Sequence, residues 1–205
     1  MIVIDDVFGP GMLEAIQNTA RSQHYEPLER TARSQHYDPL GRELGATCGY
    51  LASCPRFFEK VLNKRLREEL GEFDTIGSFF RKNSEILDNH MRVHADVIVP
   101  IVKSACSVQD KSGCSYTPTH GVVFYADIEE GGTGFYDHKV YGDRLPEGVS
   151  QPEEEFGDES LWTFREYLEG KPNRMVVYPA NMFHMRHPIK TPSDRLVWVS
   201  FIQVK

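Results

Sequence analysis

The first third of the chain carries apolar residues at the spacing of two helices. A weakly alternating strand over Met1 to Phe8 ends at a Gly-Pro-Gly break. Beyond the break, Leu13, Ile16 and Ala20 recur on one helical face. A second helix is predicted over Pro55 to Leu70, because one face is apolar and charges occupy the others. That apolar face is formed by Phe58, Val61, Leu62, Leu66 and Leu70.

From Thr75 onward the pattern changes to short runs that are rich in β-branched and aromatic residues. Turn residues separate most of these runs, which is typical of strands. The predicted strands are Ile76 to Phe80, Met91 to Val102, His120 to Ile128, Gly134 to His138, Arg174 to Tyr178 and Arg195 to Val204. Helices followed by many short strands favour an α+β protein, with helices packed on a β-sandwich or barrel, over alternating βαβ units.

An internal duplication lies between the two predicted helices. Thr19 to Arg30 is repeated almost letter for letter by Thr31 to Arg42. Two copies of so short a unit cannot form a solenoid, and the proline in each copy would interrupt a continuous helix. We therefore predict that residues 19–42 form an exposed loop that tolerates the duplication, with His24 and His36 at its surface.

Residues 143–173 interrupt the series of strands with prolines, glycines and three consecutive acids. An amphipathic piece follows, with apolar side chains from Leu161 to Leu168. We interpret the segment as an acidic insertion or lid, and the alternative is a solvated loop with one short packing helix. The acidic run weakly favours a cationic or neutral partner.

Composition and charge narrow the function classes. The 205 residues suit one domain spanning residues 1–205, and hydrophobic and charged fractions of 40% and 26% are ordinary for a globular protein. A net charge of -7 disfavours nucleic-acid binding, and no apolar run is long enough for a membrane span. No signal peptide is recognisable, and the four cysteines, Cys48, Cys54, Cys106 and Cys114, form no CxxC pair. Reduced thiols in a cytoplasmic protein are therefore expected.

Candidate chemistry appears in the stretch from His90 to Pro100, HMRVHADVIVP. In an extended chain Arg92, His94 and Asp96 project to one side, and the apolar residues between them project to the other. An imidazole and a carboxylate at positions i and i+2 can bind one divalent ion if a third ligand comes from elsewhere. His90 shares this face, but it lies about 13 Å from His94 at the rise of a strand.

The most plausible third ligand is His184. It follows the predicted strand that ends at Tyr178 and a Pro-Ala-Asn turn, and His187 is a neighbouring alternative. Two histidines and a carboxylate on one face of an iron ion leave three positions open. A metal that must bind both a chelating cosubstrate and oxygen requires such open positions.

The order of these motifs resembles that of a known superfamily. An H-x-D motif is followed by an EEGG turn, a strand-Pro-turn-His unit and a basic residue, Arg195, on the last strand. This order resembles the iron(II)- and 2-oxoglutarate-dependent oxygenases, and within them the prolyl-4-hydroxylase-like group. The resemblance implies a double-stranded β-helix (jelly-roll, cupin-like) core flanked by N-terminal helices. It also implies that His94, Asp96 and His184 hold iron.

The same resemblance assigns cosubstrate contacts. Arg195 matches the basic residue that pairs with the distal carboxylate of 2-oxoglutarate, and a guanidinium offers that group a bidentate fork. Tyr125 matches a strand tyrosine that hydrogen-bonds this carboxylate in many relatives, although a packed core tyrosine is an alternative. Arg92 would contact substrate or cosubstrate, or form a structural ion pair. No tyrosine lies between Phe80 and His94, where some relatives have a further cosubstrate contact.

By resemblance, the cofactors are iron(II) and 2-oxoglutarate as cosubstrate, with ascorbate allowed, and molecular oxygen is a partner. Asp96 occupies the position that halogenases of this kind leave vacant for halide, so we predict hydroxylation. The substrate would be a peptidyl or free amino acid, or another small molecule, and the sequence leaves its identity and the oligomeric state open. Two alternatives are a cupin-like metal enzyme that does not use 2-oxoglutarate and a non-catalytic jelly-roll binding module. We expect the apolar face of the His94 stretch to pack against the N-terminal helices.

Overall fold

Two α-helices and ten β-strands are present in a computed structural model that describes residues 1–27, 50–83, 91–97, 117–189 and 194–205. The helices are α1 (Pro10–Ser22) and α2 (Arg56–Leu70). The strands are β1 (Ile2–Ile4), β2 (Glu26–Pro27), β3 (Tyr50–Ser53), β4 (Phe73–Asn83), β5 (His120–Asp127), β6 (Gly132–His138), β7 (Trp162–Glu169), β8 (Arg174–Pro179), β9 (His184–His187) and β10 (Arg195–Val204).

Both predicted helices are confirmed, and each has a residue that accounts for its end. Pro10 opens α1, where the missing N–H of proline costs no helical hydrogen bond. Gly71 ends α2 at φ 76°, a left-handed backbone that glycine adopts readily, and its N–H donates to the carbonyl of Arg67. Neither helix of the described ranges has the length and apolar character needed to cross a bilayer.

The strands form two antiparallel sheets. The larger has seven strands in the order β1-β8-β5-β10-β4-β3-β2, and the smaller has three in the order β7-β6-β9. The longest pairing joins β10 to β4, from Arg195 opposite Asn83 to Val204 opposite Phe73. Two sheets of antiparallel strands with helices from the first third of the chain confirm the predicted α+β class.

Alternation along β5 separates the two main clusters of apolar side chains. Phe124 and Ala126 face the helices, in a cluster that includes Ile16 of α1 and Leu62 of α2. The intervening Tyr125 faces the small sheet, in a cluster with Phe135 of β6, Val176 of β8 and Val197 of β10. Because successive side chains of a strand point to opposite faces, one strand serves both layers. The cavity described below opens within the second layer.

The predicted strand over Met91 to Val102 is wrong for its described part. Residues 91–97 make one isolated bridge, between His94 and His184, and residues 98–102 lie outside the described ranges. Its apolar face does not pack on the helices as expected. Val93 is fully buried among Trp162, Phe183 and their neighbours, because the bridge to His184 places this segment beside the small sheet.

The second half of the predicted insertion is a strand. Trp162–Glu169 forms β7 and pairs with β6 along the edge of the small sheet, so the interpretation of this piece as a short helix is wrong. Its outer position explains the misleading pattern, because an edge strand needs only part of one face apolar. Between β6 and β7, Glu153–Glu155 and Glu159–Leu161 form single turns of 3-10 helix. The role of a lid stays a prediction.

Little of the duplicated segment is described. Its first copy begins inside α1, where Ala20 is buried, rather than in an exposed loop. His24 is exposed, as predicted, whereas the second copy and His36 lie outside the described ranges. The same holds for Cys48, Cys106 and Cys114, and Cys54 is a free thiol.

Candidate metal centre

The structure brings the three predicted ligands together. One nitrogen each from His94 and His184 and one oxygen from Asp96 lie within 4.8 Å of one another. Two backbone hydrogen bonds make this possible, since His94 N donates to His184 O over 3.1 Å and His184 N donates to His94 O over 3.0 Å. Asp96 N donates to the Ala180 carbonyl over 2.7 Å, which fixes the third ligand beside the same turn.

Hydrogen bonds also fix the orientation of both imidazole rings. His94 Nδ1 lies 3.0 Å from the Arg92 carbonyl and His184 Nδ1 lies 2.9 Å from the Met182 carbonyl. A carbonyl can only accept, so each Nδ1 carries the proton and each Nε2 keeps its lone pair. The Nε2 atoms of His94 and His184 lie 3.5 and 3.3 Å from the Asp96 carboxylate oxygens. Both lone pairs and the carboxylate therefore converge, as metal binding requires.

The charge states suit a cation. Burial, and to a smaller extent the nearby His184, lower the pKa of His94 to about 4 against the opposing effect of Asp96. Burial by itself would raise the pKa of Asp96, but His184, His94 and the Tyr178 hydroxyl lower it overall. A neutral imidazole at His94 and an ionised carboxylate at Asp96 are the forms in which these two residues would coordinate a metal.

Tyr178 is a member of the site that the sequence analysis missed. Its hydroxyl lies 3.0 Å from His184 Nε2 and can donate to Asp96 Oδ2 at 3.3 Å. Burial raises its pKa well above the usual range, so the phenol stays protonated. Gly121 on the adjacent strand leaves room for the ring, since a Cβ there would come within 2.8 Å of it. The available signal was alternation in β8, which places Tyr178 on the same inner face as Val176.

Arg195 lines the same cavity, which opens over the ligand cluster. The residue is only 5% exposed, and its Nη1 donates to the Gly132 carbonyl over 2.9 Å. Its guanidinium carbon lies 5.1 Å from the centre of the Tyr125 ring. The Tyr125 hydroxyl is 2.7 Å from Thr133 Oγ1, and Thr133 also lines the cavity. Tyr125 therefore contacts Arg195 and Thr133, and it is not itself among the residues that line the cavity.

Two cavity residues on β4 were also missed. Asn83 stands directly opposite Arg195 in the sheet, and Arg81 stands opposite Val197. Sequence alone did not indicate them, because their part of the cavity is created by pairing between strands far apart in the chain. The run Phe79, Arg81, Asn83 points to one side by alternation, and this pattern would have been the available signal.

The remaining candidates are placed as follows. Arg92 lines the cavity, with its guanidinium carbon 5.3 Å from the centre of the Phe156 ring. His187 is not part of the ligand cluster, because its ring stacks on Phe164 at 4.8 Å and its Nδ1 lies 3.2 Å from the Tyr136 hydroxyl. His90 lies outside the described ranges.

A side chain from the predicted insertion holds the segment that carries His94. The Gln151 amide donates from Nε2 to the Val93 carbonyl over 3.0 Å and accepts from Ala95 N at 3.1 Å. Beside it, Val93 N donates to the Phe156 carbonyl over 2.9 Å. One side-chain amide thus satisfies the donor and acceptor that a neighbouring strand would otherwise pair.

We predict that Gln151→Ala weakens metal binding by about tenfold, because loss of both hydrogen bonds frees the backbone on either side of His94. The measurement is a titration of the metal-free protein with Fe(II) under anaerobic conditions. Gln203→Ala, an exposed glutamine on β10, is the matched control and should bind metal like the wild type. Equal affinities for all three proteins would show that Gln151 does not position the ligand.

Comparison with known proteins was made at the level of sequence and of structure. No protein family model matches the chain, and no curated protein matches it in sequence. HygX from Streptomyces hygroscopicus, solved with nickel, 2-oxoglutarate and hygromycin B, superposes with a TM-score of 0.57 at 13% identity, over 98% of this chain and 82% of HygX. The chain has the fold of the 2-oxoglutarate-dependent oxygenases.

Two further structures with this oxygenase fold come from nogalamycin biosynthesis. The epimerase SnoN, in complex with Fe3+, alpha ketoglutarate and nogalamycin RO, superposes with a TM-score of 0.57 at 11% identity, over 98% of this chain and 78% of SnoN. The carbocyclase SnoK gives 0.55 at 10% identity with the same coverage. These matches confirm the predicted jelly-roll core with N-terminal helices, and the resemblance to the superfamily is confirmed as a likeness of fold.

Proposed function

We propose that this protein is an iron(II)- and 2-oxoglutarate-dependent dioxygenase that hydroxylates a small molecule. One observation carries the proposal: His94, Asp96 and His184 converge in a cavity that Arg195 also lines. The keto acid end of 2-oxoglutarate can chelate a metal, and its distal carboxylate can pair with a guanidinium. A metal centre and a buried guanidinium in one cavity match these two ends. The 2-oxoglutarate named in the HygX and SnoN complexes supports the choice of cosubstrate.

The residues present fit iron(II) by the chemistry of their donor atoms. Two imidazole nitrogens with anchored tautomers and one ionised carboxylate suit iron, and three protein ligands leave room for a chelating cosubstrate and oxygen. Tyr178 would donate its hydroxyl proton to Asp96 once His184 Nε2 is engaged, which holds the carboxylate in one orientation. Bound iron and 2-oxoglutarate would supply the oxidising power, with succinate and carbon dioxide as coproducts.

Arg195 and Thr133 would bind the distal carboxylate of 2-oxoglutarate. The Gly132 carbonyl and the Tyr125 ring already hold the guanidinium in place, so little side-chain entropy remains to be lost on binding. Val197 and Val199 of β10 line the same cavity as Arg195 and would help to exclude water from its ion pair with the cosubstrate. A charge-assisted contact gains strength in such surroundings.

The proposal predicts a weak visible absorption band when Fe(II) and 2-oxoglutarate are added together without oxygen, and succinate release when oxygen is admitted. As a control, 2-oxobutyrate keeps the chelating end but lacks the distal carboxylate, so it should replace 2-oxoglutarate only at much higher concentration. A protein that binds Fe(II) but shows neither band nor succinate would instead be a metal enzyme that does not use 2-oxoglutarate. A protein that binds no metal would be a binding module.

Hydroxylation itself is tested by the mass of the product. The fold also serves an epimerase and a carbocyclase, as the SnoN and SnoK structures show. A hydroxylated product gains one oxygen atom, which becomes labelled under ¹⁸O₂. A product with unchanged mass, or one that is lighter by two hydrogens, would assign a different outcome to the same centre.

A further inference from the structure

The floor of the cavity, formed by β10 and β4, has a polar end and an apolar end. Side chains two residues apart on β10 point to the same face, and four of them line the cavity. In order, they are Arg195, Val197, Val199 and Phe201. On β4, Asn83 stands opposite Arg195, and Phe79 stands opposite Val199. Polar side chains therefore meet at the Arg195 end of the floor, and apolar side chains meet at the Phe201 end.

The candidate metal centre lies near the apolar end. The Tyr178 hydroxyl, which contacts both His184 and Asp96, would be 3.0 Å from a Cβ on Gly121. Gly121 pairs directly with Phe201 across β5 and β10. Arg195, by contrast, is the first residue of β10, at the other end of the same face. A metal held by these ligands would have apolar side chains beside it on the side away from Arg195.

The apolar end contains a recess next to Phe201. Gly77 of β4 stands directly opposite Phe201, so a side chain at this position would share its face. Nothing in the described ranges comes within 4 Å of a Cβ placed on Gly77. Phe79 packs against Phe201 with their ring centres 6.2 Å apart, in the apolar cluster of the second layer. A glycine beside two phenylalanines thus leaves a space that has aromatic walls.

We propose that the recess formed by Gly77, Phe79 and Phe201 binds an apolar ring or branched hydrocarbon group of the substrate beside the metal. This inference rests on the proposed function, which assigns the Arg195 end to the cosubstrate. Hydrocarbon transferred from water to aromatic walls is stabilised without any hydrogen bond. A polar group in the same place would lose its hydrogen bonds to water and gain none from the phenylalanine side chains.

The test uses protein loaded with Zn(II) and saturating 2-oxoglutarate, so that no turnover occurs. Binding of cyclohexanol and of inositol is measured by ligand-observed NMR, because the two probes share a six-carbon ring and differ in their number of hydroxyl groups. Cyclohexanol should bind at least about tenfold more tightly than inositol. Exchange of Zn(II) for paramagnetic Mn(II) should broaden the cyclohexanol resonances, because the bound ring lies beside the metal.

Gly77→Leu fills the recess without removing a core side chain, and it should abolish cyclohexanol binding. Phe79→Ala should weaken cyclohexanol binding by about fivefold, because one aromatic wall is lost. Both variants should still form the absorption band with Fe(II) and 2-oxoglutarate. The matched controls are Gly11→Leu on α1, where a Cβ also has nothing described within 4 Å, and Phe57→Ala on α2, where the ring is exposed. Both controls should bind cyclohexanol like the wild type.

The inference is overturned if the two probes bind alike, if neither binds, if Mn(II) leaves the cyclohexanol resonances sharp, or if Gly77→Leu keeps the preference. It is also overturned if cyclohexanol displaces 2-oxoglutarate, because the recess would then belong to the cosubstrate. If Gly77→Leu fails to fold by circular dichroism, Phe79→Ala decides, and unchanged cyclohexanol binding in that variant overturns the inference. A wild-type protein that forms no band with Fe(II) and 2-oxoglutarate would instead contradict the proposed function.

Discussion

Asp96→Ala is expected to abolish both the Fe(II)/2-oxoglutarate absorption band and succinate release. Asp96 is the single anion among the three candidate ligands, and it also accepts from the Tyr178 hydroxyl. Without it, two neutral imidazoles would have to hold a divalent ion alone. Loss of an outer partner already costs about 10- to 100-fold in metal affinity, so loss of this ligand should cost more than about 100-fold. The measurement is the anaerobic band, followed by succinate release in air.

A surface carboxylate provides the control. Asp74 lies on β4 in an exposed ion pair with Lys205, and Asp74→Ala should keep the band and the turnover of the wild type. Thermal unfolding of the metal-free proteins will show whether Asp96→Ala still folds. An intact band in a folded Asp96→Ala protein would remove this residue from the metal centre.

Arg195→Ala is expected to raise the concentration of 2-oxoglutarate needed for half-maximal turnover by about 10- to 100-fold, while the affinity for Fe(II) stays unchanged. A hydrogen bond to a charged group is worth roughly 1.5–3 kcal/mol, which corresponds to such a factor. Arg195→Lys should fall between the two, because an ammonium keeps the charge and loses the fork. The measurement is succinate release against 2-oxoglutarate concentration at saturating Fe(II).

Arg67→Ala tests whether this effect belongs to the site. Arg67 also lies over an aromatic ring, with its guanidinium carbon 4.7 Å from the centre of Phe73, but it sits on α2 away from the cavity. Removing it should leave the dependence on 2-oxoglutarate unchanged. Equal cosubstrate dependence in Arg195→Ala and the wild type would assign Arg195 a structural role.

The pattern of apolar positions in the sequence predicted those helices and strands that bury one full face. The apolar face of α2 and the alternating residues of β5 and β10 reach the core in the predicted positions. The pattern failed for β7, an edge strand that pairs on one side, and for residues 91–97, which make a single isolated bridge. In both cases the tertiary partner decides the structure, and a sequence window does not contain that partner.

The candidate site follows the same division. His94, Asp96 and His184 were accessible because ligands must come close together at a few fixed spacings. Tyr178 and Gln151 were not accessible from the sequence, because each acts through a contact that only the folded chain creates. Tyr178 reaches Asp96 from β8, and Gln151 reaches Val93 from the loop between β6 and β7.

The two hydrogen bonds of Gln151 couple metal binding to the docking of the loop that carries Gln151. If docking of residues 143–161 against Val93 and Ala95 increases the affinity for Fe(II) by some factor, Fe(II) must favour the docked loop by the same factor. Hydrogen exchange at the Ala95 amide, which Gln151 protects, would then slow as the metal is added. Metal loading would thereby act as an allosteric effector of a loop that supplies none of the three candidate ligands.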